Sequence, residues 1–498
     1  MNREMKIAII LNYIHIVVAN LSSVILTPII IDGLGMEQYG LYVLVFNTIL
    51  FVYIAEFSIG NIVVSNVAKY RALNDESGER GFLGLSLIVF TALALIGTAV
   101  CLAIYTFAGD IFARTFDAQT LRQFKYLFLI MTVNNIFMFY QTYFFSVITG
   151  YQKFIFARSV MVIRFILRAI LIVFIMYSGG TAAGIYISEL TLTIITTVMF
   201  AAYAYKLGAR IVFRNIGEKA NRKIMKSAIW MYSYNMLENI YWNVGGIIFG
   251  MTHGTVQAGI YSIFVTFCII YTQITLVIPG YFMPKISELL VTKADNSQLT
   301  DVMIQVGRLL TVILFTITIG FAAVGKDFIL LWIGGDFAPA YTLTAVVFGI
   351  LVFSQSLIPG DIIVQAQNKY GPRTVIALIS TVCCIILSYI FIDKFGLDLA
   401  FMGILITAIA FRLLTLGIYL NKTGLELPRY IKEVFGQLIY IMAICVVVCA
   451  ALQRWNVAGI TAIILKAAVI MTVYYIALWT AYLNKDEKDL VLSVINRK

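Results

Sequence analysis

The sequence predicts an all-α polytopic membrane protein of about 14 transmembrane helices, and three observations predict it. Of its 498 residues 61% are hydrophobic and only 12% charged, with a mean hydropathy of +0.93, a balance that a water-soluble domain does not sustain. Apolar stretches of about 20 residues or more, enough to cross a ~30 Å hydrocarbon core, recur from end to end with short polar connectors. They are too long and too uniformly apolar for the alternating ten-residue segments of a membrane β-barrel.

Taken in order, the first apolar stretch, 7–31, is too long for a signal peptide and lacks a small-residue cleavage site, so it counts as helix 1. Helices 2 to 6 are expected at 41–68, 82–107, 123–148, 157–177 and 183–206. Helices 7 to 12 follow at 225–250, 256–284, 303–333, 341–366, 372–392 and 397–421, and helices 13 and 14 at 431–452 and 457–482. Pro279 and Pro284, near Gly280, are positioned to bend helix 8.

A net charge of +11 raises the question of nucleic acid, and the placement of the charges answers it. Of the 36 Lys and Arg residues, 25 lie at the two termini and in alternate connectors (69–81, 149–158, 206–226, 285–302, 367–373 and 422–432). The opposite connectors hold Arg114, Arg122, Lys326, Lys394 and Arg454. This asymmetry puts both termini in the cytoplasm, as an even helix count requires, and removes the need for a nucleic-acid partner. The six cysteines all fall inside expected helices without a CxxC pair, and His15 and His253 are far apart, so neither a metal site nor a cofactor is expected.

Part of the chain repeats. "GMEQYGLYVLVF" (Gly35 to Phe46) and "GTVQAGIYSIFV" (Gly254 to Val265) match at Gly35/Gly254, Gln38/Gln257, Gly40/Gly259 and Tyr42/Tyr261. The same offset aligns Asn20 with Asn239 and Tyr13 with Tyr232. Six helices separate the copies, and six is even, so both insert in the same direction. The expected organisation is an N-terminal lobe over 1–215, a second lobe over 216–421, and an additional helix pair with a tail over 422–498.

Together with "TPIIIDGLGMEQYGLY", "FILLWIGGDFAPAY" and "VQAQNKYGPR", this organisation resembles the polysaccharide transporter family of the multidrug, oligosaccharidyl-lipid and polysaccharide exporter superfamily. The resemblance spans nearly the whole chain, although each motif alone is degenerate. It implies a flippase of the bacterial plasma membrane. Such a protein moves a polyprenyl-diphosphate-linked oligosaccharide to the outer leaflet by alternating access, through a cavity between the lobes. Its implied partners are that lipid, the surrounding membrane lipids, and a polysaccharide polymerase and glycosyltransferases.

Candidate site residues follow from polar groups in apolar helices. Arg164 and Arg168 lie one turn apart on helix 5, hence on one face. An arginine near the bilayer centre costs about 2.5–3.5 kcal/mol on insertion scales unless it meets an anion or water. Their planar donor sets suit a diphosphate; a structural ion pair or snorkelling would equally account for them. Asn12 and Asn20, with Ser23 and Thr27, share one face of helix 1, and Asn235, Asn239 and Trp242 recur at helical spacing on helix 7. These stripes are candidates for a sugar path, against the alternative of interhelical hydrogen bonding. Glu56 and Glu238 sit near mid-span as proton-coupling candidates, or as ion-pair partners for Arg164, Arg168, Arg412 or Lys466. Glu189 and Asp361, nearer helix ends, have weaker claims. The sequence contains no Walker motif, so ATP hydrolysis by this chain is not expected.

Three rivals stand beside the flippase. A proton- or sodium-coupled multidrug exporter of the same superfamily needs acids but has little use for paired arginines. A lipid II flippase would be expected to carry mid-membrane arginines on helices 1, 2 and 8, which are lacking. A polymerase or ligase would need a catalytic external loop; the external connectors contain no histidine and no acid pair with catalytic spacing.

Overall fold

A computed structural model of the chain describes residues 22–53, 55–213, 218–291, 295–366, 370–395, 424–455 and 459–484, with single positions at 18, 413, 417, 420, 487 and 488. Among the described residues every regular element is a helix. The chain packs as two units, Met1–Ser262 and Ile263–Lys498.

The first unit contains α1 (Ser22–Leu34), α2 (Met36–Tyr53), α3 (Ala55–Ala72), α4 (Glu76–Ile111), α5 (Ala118–Gly150), α6 (Phe154–Tyr177), α7 (Ala182–Lys206), α8 (Glu218–His253) and the start of α9 (Thr255–Val291). Side chains of Asp75 and Asp117 accept from the backbone N–H groups of Gly78 and Thr120, both at 2.8 Å, and so start α4 and α5. These bonds hold the exposed Asp117 carboxyl below the usual carboxylate range. α5 lies at the centre, packed on α2, α3, α4 and α7. Its Phe139 and Tyr143 meet Phe82, Phe90 and Phe200 in the core, and the Tyr143 hydroxyl donates to the Leu83 carbonyl at 2.9 Å. α8 packs on α2 and α3, which carries this unit past the connector that the sequence marks as a lobe boundary.

The second unit is built on α10 (Asn296–Ile333), α11 (Pro339–Ser356), α12 (Ile358–Ala366), α13 (Tyr370–Phe395), α14 (Leu427–Phe435), α15 (Leu438–Gln453) and α16 (Ile460–Ala477). α10 is its spine, ending at Gly334, whose φ of 95° suits glycine, while Pro339 opens α11. Tyr474 of α16 donates to the Val312 carbonyl at 3.0 Å and Tyr430 of α14 to the Ser356 carbonyl at 2.5 Å.

Seven described helices are long and apolar enough to cross a membrane, or eight if α14 and α15, bent by 42°, form one span. Large apolar side chains such as Leu95, Phe174 and Val447 stand exposed on them, which lipid accommodates and water would not. The chain is an all-α polytopic membrane protein. Expected helices 3 to 9, 11 and 14 each coincide with one described helical stretch. The stretch 41–68 is divided between α2 and α3, 341–366 between α11 and α12, and 431–452 between α14 and α15. Helix 1 is described from residue 22, and 397–421 lies outside the described residues apart from three positions.

The repeated motif is built alike in both copies. Gly35 (φ 77°) separates α1 from α2 and Gly254 (φ 90°) separates α8 from α9, a left-handed conformation that glycine adopts without strain. The other matched glycine pair meets directly: a Cβ on Gly259 would lie 3.4 Å from Gly40 Cα, whereas one on Gly40 would lie 1.9 Å from the Thr255 carbonyl oxygen. Gly40→Ala is therefore expected to push α2 off α9 and cost about 1–3 kcal/mol or more. Gly259→Ala, meeting only ordinary contacts, should melt close to the native chain. Thermal unfolding of the two variants in one detergent checks this, and equal melting would refute it.

Candidate functional site

α6 and α7 form an antiparallel hairpin closed by residues 178–181, with Gly179 (φ 72°) in the turn. α6 turns one face toward the protein, burying Ala157, Val160, Arg164, Ile172 and Met176, while Ile163, Leu167, Ile170 and Phe174 point outward. The two arginines expected on one face lie on or beside the protein-facing side. Antiparallel pairing then brings residues at similar distances from the turn to about one level. Arg164 faces Thr193, and Arg168 faces Glu189.

The resulting cluster has two cations on one carboxylate. Arg164 Nη2 donates to Glu189 Oε1 at 2.5 Å and to Thr193 Oγ1 at 2.9 Å; Arg168 Nε donates to Glu189 Oε2 at 2.8 Å. Thr193 in turn donates to the Glu189 carbonyl at 2.8 Å. The Arg164 side chain is 7% exposed and that of Arg168 25%. Tyr42 of α2 lies beside Arg168, its ring stacked on Tyr186 at 4.9 Å, and the Tyr186 hydroxyl donates to the Tyr42 carbonyl. Among the described side chains the formal charge of the cluster is +1, which suits an anion. The carboxylate strongly offsets the insertion cost of the arginines.

The polar seam continues along α5 and α7. Gln141 donates to Thr196, and Thr197 to the Phe137 carbonyl at 3.3 Å. That register brings Asn134 and Asn135 of α5 close to the level of Glu189. Both are fully buried, and among the described residues neither the amide nitrogen nor the oxygen of Asn135 has a hydrogen-bond partner.

The remaining candidates lie on other helices or outside the described residues. Asn12, Asn20 and Arg412 lie outside the described residues, as do the side chains of Glu56, on α3, and Asn235, on α8. Glu238 and Asn239 are half-buried on α8, and the Asn239 carbonyl accepts from Asn243 at 3.0 Å. Trp242 is buried, and its carbonyl accepts from the Tyr261 hydroxyl at 2.6 Å. Lys466 donates to Asp327 at 2.7 Å. Among the described residues no group of three or more potential metal ligands gathers.

Glu189, which the sequence ranks low, is the residue that joins the two arginines. The signal for it was the hairpin itself: two helices joined by a four-residue turn pair residues at similar distances from that turn.

A family model described as polysaccharide biosynthesis protein matches residues 7–290, more than half of the chain. A search of curated proteins found no sequence match. Among solved structures, the lipid II flippase MurJ in an inward closed conformation is similar with a TM-score of 0.69 at 13% identity, over 94% of this chain and 97% of that one. The inward-facing conformation of a multidrug resistance MATE family transporter of the MOP superfamily is similar with a TM-score of 0.69 at 12% identity, over 90% and 100%. At these identities the likeness is one of fold.

Proposed function

We propose that this chain, which belongs to the polysaccharide biosynthesis protein family, is a flippase that carries a polyprenyl-diphosphate-linked oligosaccharide from the cytoplasmic to the outer leaflet. The observation that carries the reading is the Arg164–Glu189–Arg168 cluster, a surplus cation inside an apolar hairpin of a family concerned with polysaccharides. Arg168, the more exposed of the two, takes the diphosphate; Arg164 anchors the cluster. Asn12, Asn20, Asn235, Asn239 and Trp242 would offer polar and aromatic surface to the sugars, with Glu56 and Glu238 as coupling candidates.

Alternating access lets the anionic head cross while the polyprenyl tail stays in lipid. An interior-negative potential favours outward movement of an anion by ~2.3 kcal/mol per charge per 100 mV, so a diphosphate is itself driven outward. In this reading the chain resides in the bacterial plasma membrane with both termini in the cytoplasm, supported by the basic connectors. It forms lobes over 1–215 and 216–421 and an added segment over 422–498. A polymerase would use its product outside, and glycosyltransferases would supply its substrate inside.

Deletion of the gene tests the reading in cells. The expected result is loss of a surface glycan with accumulation of its lipid-linked precursor, accessible only from the cytoplasmic side. An unchanged glycan together with new sensitivity to lipophilic cations would favour a multidrug exporter instead.

A further inference from the structure

We propose that Glu189 is a built-in stand-in for the diphosphate: its carboxylate holds Arg168 while the head group is absent and competes with it for that guanidinium on arrival. The inference rests on the reading that the two arginines meet the head group.

The geometry divides the cluster into a fixed half and a releasable half. Arg164, 7% exposed, is held by both Glu189 and Thr193, and Thr193 is bonded back to the Glu189 backbone. Arg168, 25% exposed, meets the carboxylate through Nε and has the Tyr42 hydroxyl as a further partner, so the paired donors of its Nη1 and Nη2 edge are not committed to Glu189. A diphosphate presents several oxygens and can take such an edge in two parallel bonds, the stronger and more specific geometry. Arg168 can therefore take two bonds to phosphate on that edge while Glu189 competes for the charge of the same guanidinium through Nε, and Arg164 keeps the carboxylate in place.

Charge supports the same division. Among the described residues, the buried pairs Lys466–Asp327 and Arg308–Glu487 balance one cation with one anion. The α6/α7 cluster instead sets two cations against one carboxylate, leaving a unit charge for a ligand. Removing Glu189 would leave +2 facing the diphosphate, and affinity would rise. A carrier must also let go, as conduction through any site requires binding weak enough to leave. A resident carboxylate aimed at the same guanidinium supplies that release.

The test is binding of inorganic pyrophosphate to the full chain in nanodiscs, by calorimetry at low salt, alongside flipping of a polyprenyl-diphosphate oligosaccharide in proteoliposomes. Folded Glu189→Gln is expected to bind pyrophosphate about tenfold more tightly than the native chain and to flip more slowly at saturation. Arg168→Ala is expected to lose pyrophosphate binding. Native or weaker affinity in folded Glu189→Gln, with binding still lost in Arg168→Ala, would overturn the stand-in and leave the arginine reading intact. Pyrophosphate binding that survives Arg168→Ala, or is absent from all three proteins, would overturn both. Should the glutamine variant not fold, Glu189→Asp keeps the charge but shortens the reach to Arg168. An affinity between native and tenfold tighter then supports the inference, and a native value overturns it.

Discussion

Glu189→Leu is expected to cost about 3–5 kcal/mol of stability, because it strands two arginine side chains, 7% and 25% exposed, with no counter-charge. The carboxylate is engaged on both oxygens, at 2.5 and 2.8 Å. The sharper expectation concerns combination. Replacing the whole cluster with apolar residues, Arg164→Met, Arg168→Met and Glu189→Leu together, removes the buried charges as well as their bonds. That triple variant should be more stable than Glu189→Leu alone, since a buried ionic group is costly to break but cheap to replace entirely. Thermal unfolding in detergent measures both. A triple variant less stable than the single would mean that the cluster holds α6 on α7 by more than mutual neutralisation.

Arg308→Ala is expected to free the segment that follows α16. This guanidinium, 7% exposed about a third of the way along α10, uses its donors across three partners. Nε and Nη2 grip Glu487 at 2.8 and 2.9 Å, Nη1 reaches the Glu433 carbonyl at 2.7 Å, and Nη2 also reaches the Tyr482 carbonyl at 2.7 Å. It also lies 4.2 Å from the centre of the Tyr482 ring, whose hydroxyl donates to the Val434 carbonyl at 3.0 Å. Loss of the side chain takes the donor from two carbonyls and the counter-charge from the Glu487 carboxylate, an effect of about 3 kcal/mol or more. Arg308→Lys keeps the charge but not the planar fork and should recover only part of it. Limited proteolysis at the C-terminal side is the readout, with cleavage after Tyr482 rising many-fold in the alanine variant; unchanged cleavage would contradict the latch.

The same latch has a pH signature. Burial raises the Glu487 carboxyl pKa, but the hydrogen bond from Arg308 and the Asn484 N–H outweigh that, and the net shift is downward. A carboxyl whose folded pKa is depressed contributes stability at all pH values above its unfolded pKa and loses it as pH falls through the folded one. C-terminal cleavage should therefore stay low at neutral pH and rise only once acidification passes below the ordinary glutamate range. A rise near pH 7 would point to another group.

Much of the fold was legible because lipid imposes length and hydropathy on every crossing, so helix positions follow from composition alone. The repeat was legible too, since Gly35 and Gly254 occupy conformations that other residues strain to adopt. Periodicity gave the shared face of Arg164 and Arg168. It could not give the partner across the hairpin, because a helical wheel describes one helix and Glu189 belongs to the next. Arg308 and Glu487 stand 179 residues apart, and no local pattern announces such a bond. The stripe on α8 shows the limit of spacing: Asn239 is half-buried whereas Trp242 is buried, so residues at helical spacing need not share one surroundings.

The central claim is that this chain moves a lipid-linked sugar diphosphate across a bilayer, and transbilayer movement in proteoliposomes tests it most directly. A fluorescent polyprenyl-diphosphate oligosaccharide is placed in both leaflets, and the fraction reached by a membrane-impermeant quencher is followed with an imposed potential. Movement that requires the native protein, quickens with the potential and falls at least tenfold in folded Arg168→Ala is the predicted result. No protein-dependent movement of any such lipid, under a potential or a proton gradient, would contradict the account.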